Sequence, residues 1–317
     1  MHFDSRIKAL AGTASAVALL AALAVGGTSS AGAATLPNCT VANNLEAIID
    51  DSGSMSFTDP QRFRADMVDI LATFNQDKTM GGVQFGSDAS VLFAPAPVGA
   101  NLGTIHSSLN AIQADDGGTD YEAGFNLANA QNSTANARIF LSDGAPNFDP
   151  SPDVWKVPPI KAYVVGFGTV DPAVLNQIAA DTGGPAPFNV TNTSQLRTVA
   201  MIINARINCE PDPTLITKNL KAGQVKGVAF RPDGDTSQIV ISWPGHAKIQ
   251  ALGFTQGGGA GKSSLAQSAK KRLRVKQTRG RSYVAVNLSQ IGKGRVHFKL
   301  RAKKAKGGVA VTTAIIP

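Results

Sequence analysis

Residues 45–54 read Leu-Glu-Ala-Ile-Ile-Asp-Asp-Ser-Gly-Ser, a mostly apolar run that leads directly into acidic and hydroxyl side chains. The run up to Ile49 predicts a buried strand. Asp50, Ser52 and Ser54 follow on a tight loop, where one carboxylate and two hydroxyls can converge. Such oxygen donors suit a hard divalent cation, although Ser and Asp are equally common in ordinary turns and helix caps.

The N-terminal residues 1–34 have the order of a secretory signal peptide. A start that carries Arg6 and Lys8 is followed by an apolar run and then by small residues up to Ala34. No second long apolar run occurs, so we expect no transmembrane segment. The sequence therefore predicts a secreted, extracellular protein, with association to the cell surface as a variant of that expectation.

Two cysteines remain in the exported part, Cys39 and Cys209. An even number of cysteines in a secreted chain favours one disulfide. Closing so long a loop stabilises the folded state by roughly 4–5 kcal/mol on the entropic model. Lipidation of Cys39 is the alternative, which the sequence context disfavours because Cys39 lies far beyond the apolar run and Cys209 would be left alone.

The charge of the chain is divided between its two halves. Residues 34–209 carry 8 Lys and Arg against 17 Asp and Glu, whereas residues 210–317 carry 20 against 4. The halves are therefore chemically different, and we expect a first domain at 35–209 and a basic second domain at 210–317. The net charge of +8 for the whole chain therefore describes neither of the two domains.

Segments typical of strands and helices alternate along the first domain. Asp59-Pro60 predicts the start of its first helix, with Asp59 as N-cap and Pro60 in the first turn. The alternation predicts an α/β fold, a Rossmann-like, doubly wound, mostly parallel sheet. Such sheets bind ligands beyond the carboxyl ends of their strands, so Asp50–Ser54, Gly117–Asp120 and Ser142–Gly144 should face one rim.

These three motifs, D-x-S-G-S-M, G-G-T-D and S-D-G, occur in an order and at distances that resemble the von Willebrand factor type A (vWA) domain. The resemblance covers roughly residues 39–209 and extends to the cysteine pair at its ends. It implies a metal-ion-dependent adhesion site (MIDAS), which holds Mg²⁺, or Ca²⁺ or Mn²⁺. The metal-site residues that it implies are Asp50, Ser52, Ser54, Thr119 and Asp143.

The same resemblance implies that a carboxylate of a protein partner completes the coordination of the ion. Ser142 departs from the threonine that is more usual in the family, and we expect this to matter little. The neighbouring carboxylates Asp51, Asp115, Asp116 and Asp120 are interpreted as solvated loop and cap residues rather than as ligands. Turn chemistry without a metal remains the alternative for the five residues of the site.

The second domain is predicted to be an all-β sandwich, because seven short β-favouring segments are separated by turn signals. Its basic residues cluster at Lys270–Lys276 and Arg301–Lys306. An anionic cell-envelope polymer is a candidate partner for them. The alternatives are a solvated face, or a face that docks on the acidic first domain. Aromatic residues are scarce near these clusters, so nucleic acid is not expected as a partner.

Three hypotheses about function follow from these observations. In the leading one, the protein is a secreted, metal-dependent binding or adhesion protein whose MIDAS captures an acidic group of a protein partner. In the second, it is a structural or assembly module of the cell envelope, anchored by its basic domain to anionic polymers. An enzyme ranks last, because no histidine stands in a nucleophile-like context and no catalytic residue is identified.

Overall fold

The structure, a computed structural model, describes residues 39–316 except 233, 235, 245–246, 258–272, 292–293 and 306. The predicted signal peptide, residues 270–272 of the basic cluster Lys270–Lys276 and Lys306 of the cluster Arg301–Lys306 lie outside the described residues.

Six strands form the first sheet. They are β1 (Asn44–Asp50), β2 (Thr79–Phe85), β3 (Ala89–Pro97), β4 (Ala137–Gly144), β5 (Ala162–Thr169) and β6 (Phe188–Val190), in the spatial order β3-β2-β1-β4-β5-β6. All neighbours pair in parallel except β2 and β3, which form an antiparallel hairpin at one edge. The strand order reverses beside β1, as in a doubly wound sheet, so the predicted fold class is confirmed.

Helices cover both faces of this sheet, and they are α1 (Met55–Thr58), α2 (Phe63–Phe74), α3 (Val98–Ala111), α4 (Tyr121–Gln131), α5 (Asp153–Lys156), α6 (Pro172–Asp181) and α7 (Leu196–Ile207). One apolar core joins the sheet to α2, α3 and α7. A second core joins the other face to α4, α5 and α6. Burial on both faces explains why the strands are rich in apolar residues without a strict alternation.

The predicted start of the first long helix at Asp59-Pro60 is wrong. Helix α2 begins at Phe63, and the residue before it, Arg62, has a left-handed backbone with φ of 57°. Asp59 still caps this helix, since its carboxylate accepts hydrogen bonds from the backbone N–H of Phe63 (2.8 Å) and of Arg64 (2.9 Å). A turn at 60–62, closed by a hydrogen bond from the backbone N–H of Arg62 to the carbonyl of Asp59 (2.9 Å), separates Asp59 from α2, so Asp59 acts from further upstream than an ordinary N-cap.

The second part of the chain forms two antiparallel sheets. Its strands are β7 (Thr214–Leu220), β8 (Val225–Phe230), β9 (Thr236–Ser242), β10 (Lys248–Gly257), β11 (Arg274–Arg279), β12 (Tyr283–Ser289), β13 (Arg295–Lys304) and β14 (Val309–Ile316). The sheets have the orders β10-β13-β8 and β11-β12-β9-β14-β7 and enclose one apolar core, so the predicted sandwich is confirmed. Strand β7 was not predicted, because it is an edge strand whose side chains are mostly exposed.

The five-stranded sheet is buried on both faces. Residues such as Ile239, Ile241 and Val284 belong to the sandwich core. Their neighbours Val240 and Tyr283 point the other way and join the core of the first sheet, where α2 and α7 lie. The two sheet systems thus pack directly on each other, while the domain boundary after Cys209 stays a prediction.

Cys39 and Cys209 form a disulfide, with their Cα atoms 5.6 Å apart and 170 positions between them in sequence. The bond joins the residues that lead into β1 and out of α7. None of the helices in the described ranges is long and apolar enough to cross a membrane.

Candidate metal centre

The three predicted loops meet at the carboxyl end of the first sheet. Asp50 ends β1, and the turn after it leads into α1. The backbone N–H of Gly53 donates to the carbonyl of Gly117 (3.1 Å), which ties the first loop to the second. Asp143 lies near the end of β4, the strand that pairs with β1. Adjacent parallel strands thus place two of these loops side by side.

Four of the five predicted residues are connected by hydrogen bonds. The hydroxyls of Ser52 and Ser54 lie 2.9 Å apart, and Ser54 donates to Oδ1 of Asp143 at 2.7 Å. Asp50 is linked to the same loop, because its Oδ1 accepts from the backbone N–H of Ser52 at 2.9 Å. Residues that are 89 positions apart in sequence, Ser54 and Asp143, are therefore in direct contact.

Thr119 completes the group from the second loop. A Cβ atom added at Gly144 would lie 3.5 Å from Oγ1 of Thr119 and 3.9 Å from Oγ of Ser54. The two hydroxyls therefore border the same small space, which a glycine leaves open. Asn147 holds this loop in place through two hydrogen bonds. Its side-chain oxygen accepts from the backbone N–H of Thr119, and its backbone N–H donates to the carbonyl of Thr119 at 2.9 Å.

The two carboxylates of the site differ in the number of their oxygens that accept hydrogen bonds. Both oxygens of Asp50 have protein donors, the second being the hydroxyl of Ser142 at 2.6 Å. Oδ2 of Asp143, by contrast, is buried and has no hydrogen-bond partner among the described residues. A buried carboxylate oxygen without a donor is costly, so Asp143 is the better placed of the two to contact a cation directly.

Burial also affects the protonation of this rim. It raises the pKa of Asp50 to about 6, although hydrogen bonds from Ser142 and Ser52 lower it. Burial likewise raises the pKa of Asp51 to about 6, although the charge of Arg64 lowers it. A bound cation would favour the ionised form of carboxylates placed in this way.

The interpretation of Asp51 as a solvated loop residue is wrong. Asp51 is 1% exposed, and its Oδ1 contacts the guanidinium of Arg64 at 2.9 Å. Asp120 is the N-cap of α4, as predicted, and accepts from the backbone N–H of Ala123 at 3.1 Å. Asp115 is exposed. The sequence reasoning missed three residues that hold the loops in place, Arg64, Tyr121 and Asn147, and it gave Ser142 no role beyond its place in the S-D-G motif.

The donor set fits a hard divalent cation. It combines three neutral hydroxyls with two carboxylates, one of which has an unpartnered oxygen. Oxygen donors at this edge are what Mg²⁺, Ca²⁺ or Mn²⁺ prefer. The part of the chain that the structure describes contains no group of three or more His, Cys, Asp or Glu side chains that could hold a metal ion. A site with only two carboxylates would not form such a group.

A doubly wound sheet with oxygen donors at its carboxyl edge defines a class of α/β ligand-binding domains. Residues 44–201, about half of the chain, match the von Willebrand factor type A domain family, and this part of the chain is a vWA domain. No curated protein shows a significant match to the chain.

Several solved structures resemble the chain at low sequence identity. A von Willebrand factor type A protein from Catenulispora acidiphila is 15% identical with a TM-score of 0.47, over 86% of this chain and 65% of that one. Proximal thread matrix protein 1 from the mussel byssus, in a form described as having a zinc occupied MIDAS motif, is 16% identical with a TM-score of 0.44, over 56% and 50%. The chain thus spans only about half of the length of the mussel protein.

Proposed function

We propose that the protein is a metal-dependent binding protein whose vWA domain captures a carboxylate of a protein partner. Asp50, Ser52, Ser54, Thr119 and Asp143 would hold the cation, which is Mg²⁺, or Ca²⁺ or Mn²⁺. The observation that carries this proposal is the convergence of Ser52, Ser54 and Asp143 through hydrogen bonds of 2.9 and 2.7 Å.

The composition of the donor set explains why an anionic partner is favoured. Three of the five donors are neutral hydroxyls, so a divalent cation held by them keeps part of its positive charge. Such an ion binds an external carboxylate well, because oxygen anions are its preferred ligands. The ion would supply this attraction, and the role of the protein residues is to hold the donors on a rigid sheet edge.

Two exposed aromatic side chains next to the site favour a protein partner over a small anion. Phe57 is 87% exposed and Phe148 is 76% exposed. The backbone N–H of Phe57 donates to the carbonyl of Ser54, and Phe148 follows Asn147, which holds Thr119. Large aromatic side chains dominate binding energy at protein interfaces when a partner covers them. Phe57 and Phe148 would therefore pack against residues that neighbour the captured carboxylate.

We propose that this binding is not accompanied by catalysis. His106 contacts Asp69, whose other oxygen accepts from the hydroxyl of Tyr283, so this pair takes part in packing the second sheet system on the first. His297 lies on the exposed side of β13. Neither His106 nor His297 takes part in the hydrogen bonds that connect the residues of the candidate metal centre.

We also propose that the protein acts outside the cell. The order of residues 1–34 supports export. The disulfide between Cys39 and Cys209 supports an oxidising compartment, because such bonds are rare in the cytosol.

A comparison of two threonine variants tests the metal site. Thr119→Val removes one hydroxyl of the site, whereas Thr73→Val removes a buried hydroxyl of α2 that has no hydrogen-bond partner among the described residues. We expect T119V to weaken Mn²⁺ and Mg²⁺ binding at least about tenfold in calorimetric titrations, while T73V binds like the wild type. Equal metal affinity of T119V and wild type would contradict the proposal.

A second measurement tests the partner. Proteins captured by the full chain from its native surface milieu are compared with Mg²⁺ and with chelator. The proposal requires captured species that disappear with chelator and with T119V, and that T73V retains. Capture that persists in chelator would show that the metal site does not carry the binding.

A further inference from the structure

Strand β13 alternates between buried apolar and exposed polar side chains along most of its length. Its inward side chains, Val296, Phe298 and Leu300, belong to the sandwich core. Its outward side chains form what we call the basic row, which consists of Arg295, His297, Lys299, Arg301 and Lys303. Successive members lie about 7 Å apart, because side chains on one face of a strand recur every second residue.

The basic row faces away from the vWA domain. β13 is the central strand of the three-stranded sheet, and the inner face of that sheet packs on the five-stranded sheet. The opposite face of the five-stranded sheet packs on α2 and α7 of the vWA domain. The outer face of β13 therefore lies on the far side of both sheets. This geometry excludes docking of the basic row on the acidic vWA domain of the same chain.

The flanks of the basic row leave its charges uncompensated. The residues of β8 opposite His297, Lys299 and Arg301 are Ala229, Gly227 and Val225. A Cβ atom added at Gly227 would meet nothing within 4 Å, so the face is open there. Among the described residues, no carboxylate lies within ion-pair distance of any member of the row.

Four permanently charged side chains on one open face create a local positive potential, which an anionic partner from outside the chain would complement. The row is open and one side chain wide, because the residues beside it on β8 and β10 carry no charge, and this arrangement matches a linear chain of anionic groups. Arg295 and Arg301 carry guanidinium forks that bind phosphate oxygens in pairs.

We propose that the basic row is a docking surface for a linear phosphodiester polymer that carries no bases. The polymer would lie along β13 and place one anionic group near each cation. Stacking of bases is not supported, because the outer positions of β10 opposite the row are Gln250, Leu252 and Thr255, and the nearby Phe254 stacks instead on the inward Phe298. This interaction is independent of the candidate metal centre.

The charge count sets the expected salt dependence. Four permanently charged side chains of the row would neutralise about four phosphates, which gives a slope of log K against log salt of about −3 if the relation for single strands applies. Raising the salt from 50 to 200 mM should then weaken binding about fiftyfold.

The test uses the full chain with chelator present, so that the metal centre contributes nothing. The probe is poly(glycerol phosphate), and its binding is measured by calorimetry at several salt concentrations. The variant K299Q/R301Q removes two charges from the row. The matched control K218Q/R274Q removes two charges from β7 and β11 of the other sheet. We expect the row variant to bind at least about tenfold more weakly at 50 mM salt, with a slope smaller by about 1.4, and the control to stay within about threefold of wild type.

Three outcomes would overturn the proposal. No binding of the probe at 50 mM salt would show that the row does not recognise phosphodiesters. Equal weakening in both variants would show that the overall charge of the domain, rather than the row, attracts the polymer. Tighter binding of oligo-dT or of vesicles with acidic lipids, with the same sensitivity to K299Q/R301Q, would assign the surface to nucleic acid or to a membrane. None of these results bears on the metal centre, which the calorimetric titrations with Mn²⁺ test separately.

Discussion

Ser142 holds Asp50 in place although it is not one of the predicted metal-site residues. Its hydroxyl donates to Oδ2 of Asp50 at 2.6 Å and accepts from the hydroxyl of Tyr121 at 3.1 Å. The single hydroxyl hydrogen of Tyr121 is shared with the carbonyl of Gly144, which lies 2.7 Å from the same hydroxyl oxygen. These hydroxyls connect the ends of β1 and β4, and they orient the carboxylate of Asp50 in the candidate metal centre.

We therefore expect Ser142→Ala to weaken Mn²⁺ binding by about tenfold, since loss of a residue that orients a ligand commonly has an effect of this size. Ser142→Thr keeps the hydroxyl and should restore wild-type affinity. Calorimetric titration of both variants provides the measurement. If S142A binds the ion as tightly as S142T, the hydroxyl has no orienting role.

Glu46 is a charged residue inside a buried strand. It is fully buried in β1, where Oε2 accepts from Asn132 at 2.9 Å and Oε1 has no partner among the described residues. Burial raises its pKa to about 8, although Asn132 and the charge of Arg138 lower it. The folded protein therefore keeps a proton on Glu46 at pH values at which the unfolded chain has released it.

This proton makes stability depend on pH. Between the unfolded pKa of 4.5 and the folded value of about 8, the folded state binds more protons, so the free energy of unfolding falls as pH rises. The slope that Glu46 contributes should be about 1.4 kcal/mol per pH unit at most. Glu46→Gln is neutral at every pH and should reduce this slope in urea denaturation, most clearly between pH 7 and 8, above the pKa values of about 6 of Asp50 and Asp51. Asp88→Asn, at an exposed carboxylate, should keep it. Parallel profiles for E46Q and wild type would count against a protonated Glu46.

At the scale of elements, α2 shows what the sequence does not reveal. All twelve of its residues are buried, including Arg64, Asp66 and Asp69. At these positions of a helix, charged residues predict a face that is exposed to solvent. Only the tertiary structure shows the buried partners that they contact. Arg64 contacts Asp51 and Asp59, whereas Asp66 and Asp69 face Arg197, Ser282 and Tyr283.

Arg197 connects α7 to both α2 and the second sheet system. Its guanidinium lies 3.3 Å from Asp66, donates to the carbonyl of Trp243 at 2.8 Å and to the hydroxyl of Ser282, and stacks over Phe63. Removal of one partner from such a buried pair leaves an uncompensated charge, which typically costs 3–5 kcal/mol.

Arg197→Met should accordingly lower the free energy of unfolding by about 3 kcal/mol in urea denaturation. Arg206→Met, at the other end of α7, removes an arginine whose pair with Asp212 is solvent-accessible, and its effect should stay below about 1 kcal/mol. The double variant D66N/R197M removes both charges and should recover part of the loss. Equal effects of R197M and R206M would mean that the buried pair adds nothing.

The three loops of the candidate metal centre were predictable because each carries a motif of fixed composition, two of them at the end of a strand and the third before helix α4. Their order along β1 and β4 follows from the parallel sheet, so the sequence placed Asp50 and Asp143 at one rim. The residues that support the loops were not predictable, because Arg64 and Tyr121 reach them from helices through contacts that no local pattern encodes. Strand β7 was missed for a related reason, since an exposed edge strand lacks the apolar alternation that marks its neighbours.

For the whole molecule, one apolar core crosses the predicted domain boundary. Val240, Tyr283 and Ala314 of the second part share a core with α2 and α7 of the vWA domain. Separation of the parts would expose these residues to water, at a cost of about 25 cal/mol for each Å² of apolar surface.

The full chain should therefore unfold in a single calorimetric transition, despite its two sheet systems. The measurement is differential scanning calorimetry, in which the calorimetric and van't Hoff enthalpies should agree. R197M provides a control, because it weakens the contact between the parts and should broaden or split the transition. Two separate transitions in the wild-type chain would show that the parts unfold independently.

The disulfide should contribute to the stability of the same unit. The double variant C39S/C209S opens a loop of 170 residues and should lower the free energy of unfolding by roughly 4 kcal/mol. Urea denaturation of the oxidised wild type and of the variant measures the difference. A difference below about 1 kcal/mol would indicate that other contacts already hold residues 39 and 209 together.

The same bond determines how tension would travel through the protein. Cys39 and Cys209, at the two ends of the vWA domain, have Cα atoms only 5.6 Å apart. A pulling force applied between the chain before Cys39 and the chain after Cys209 would pass through the covalent bridge. The central sheet, and the metal centre on its rim, would stay outside that line of force and would not be stretched.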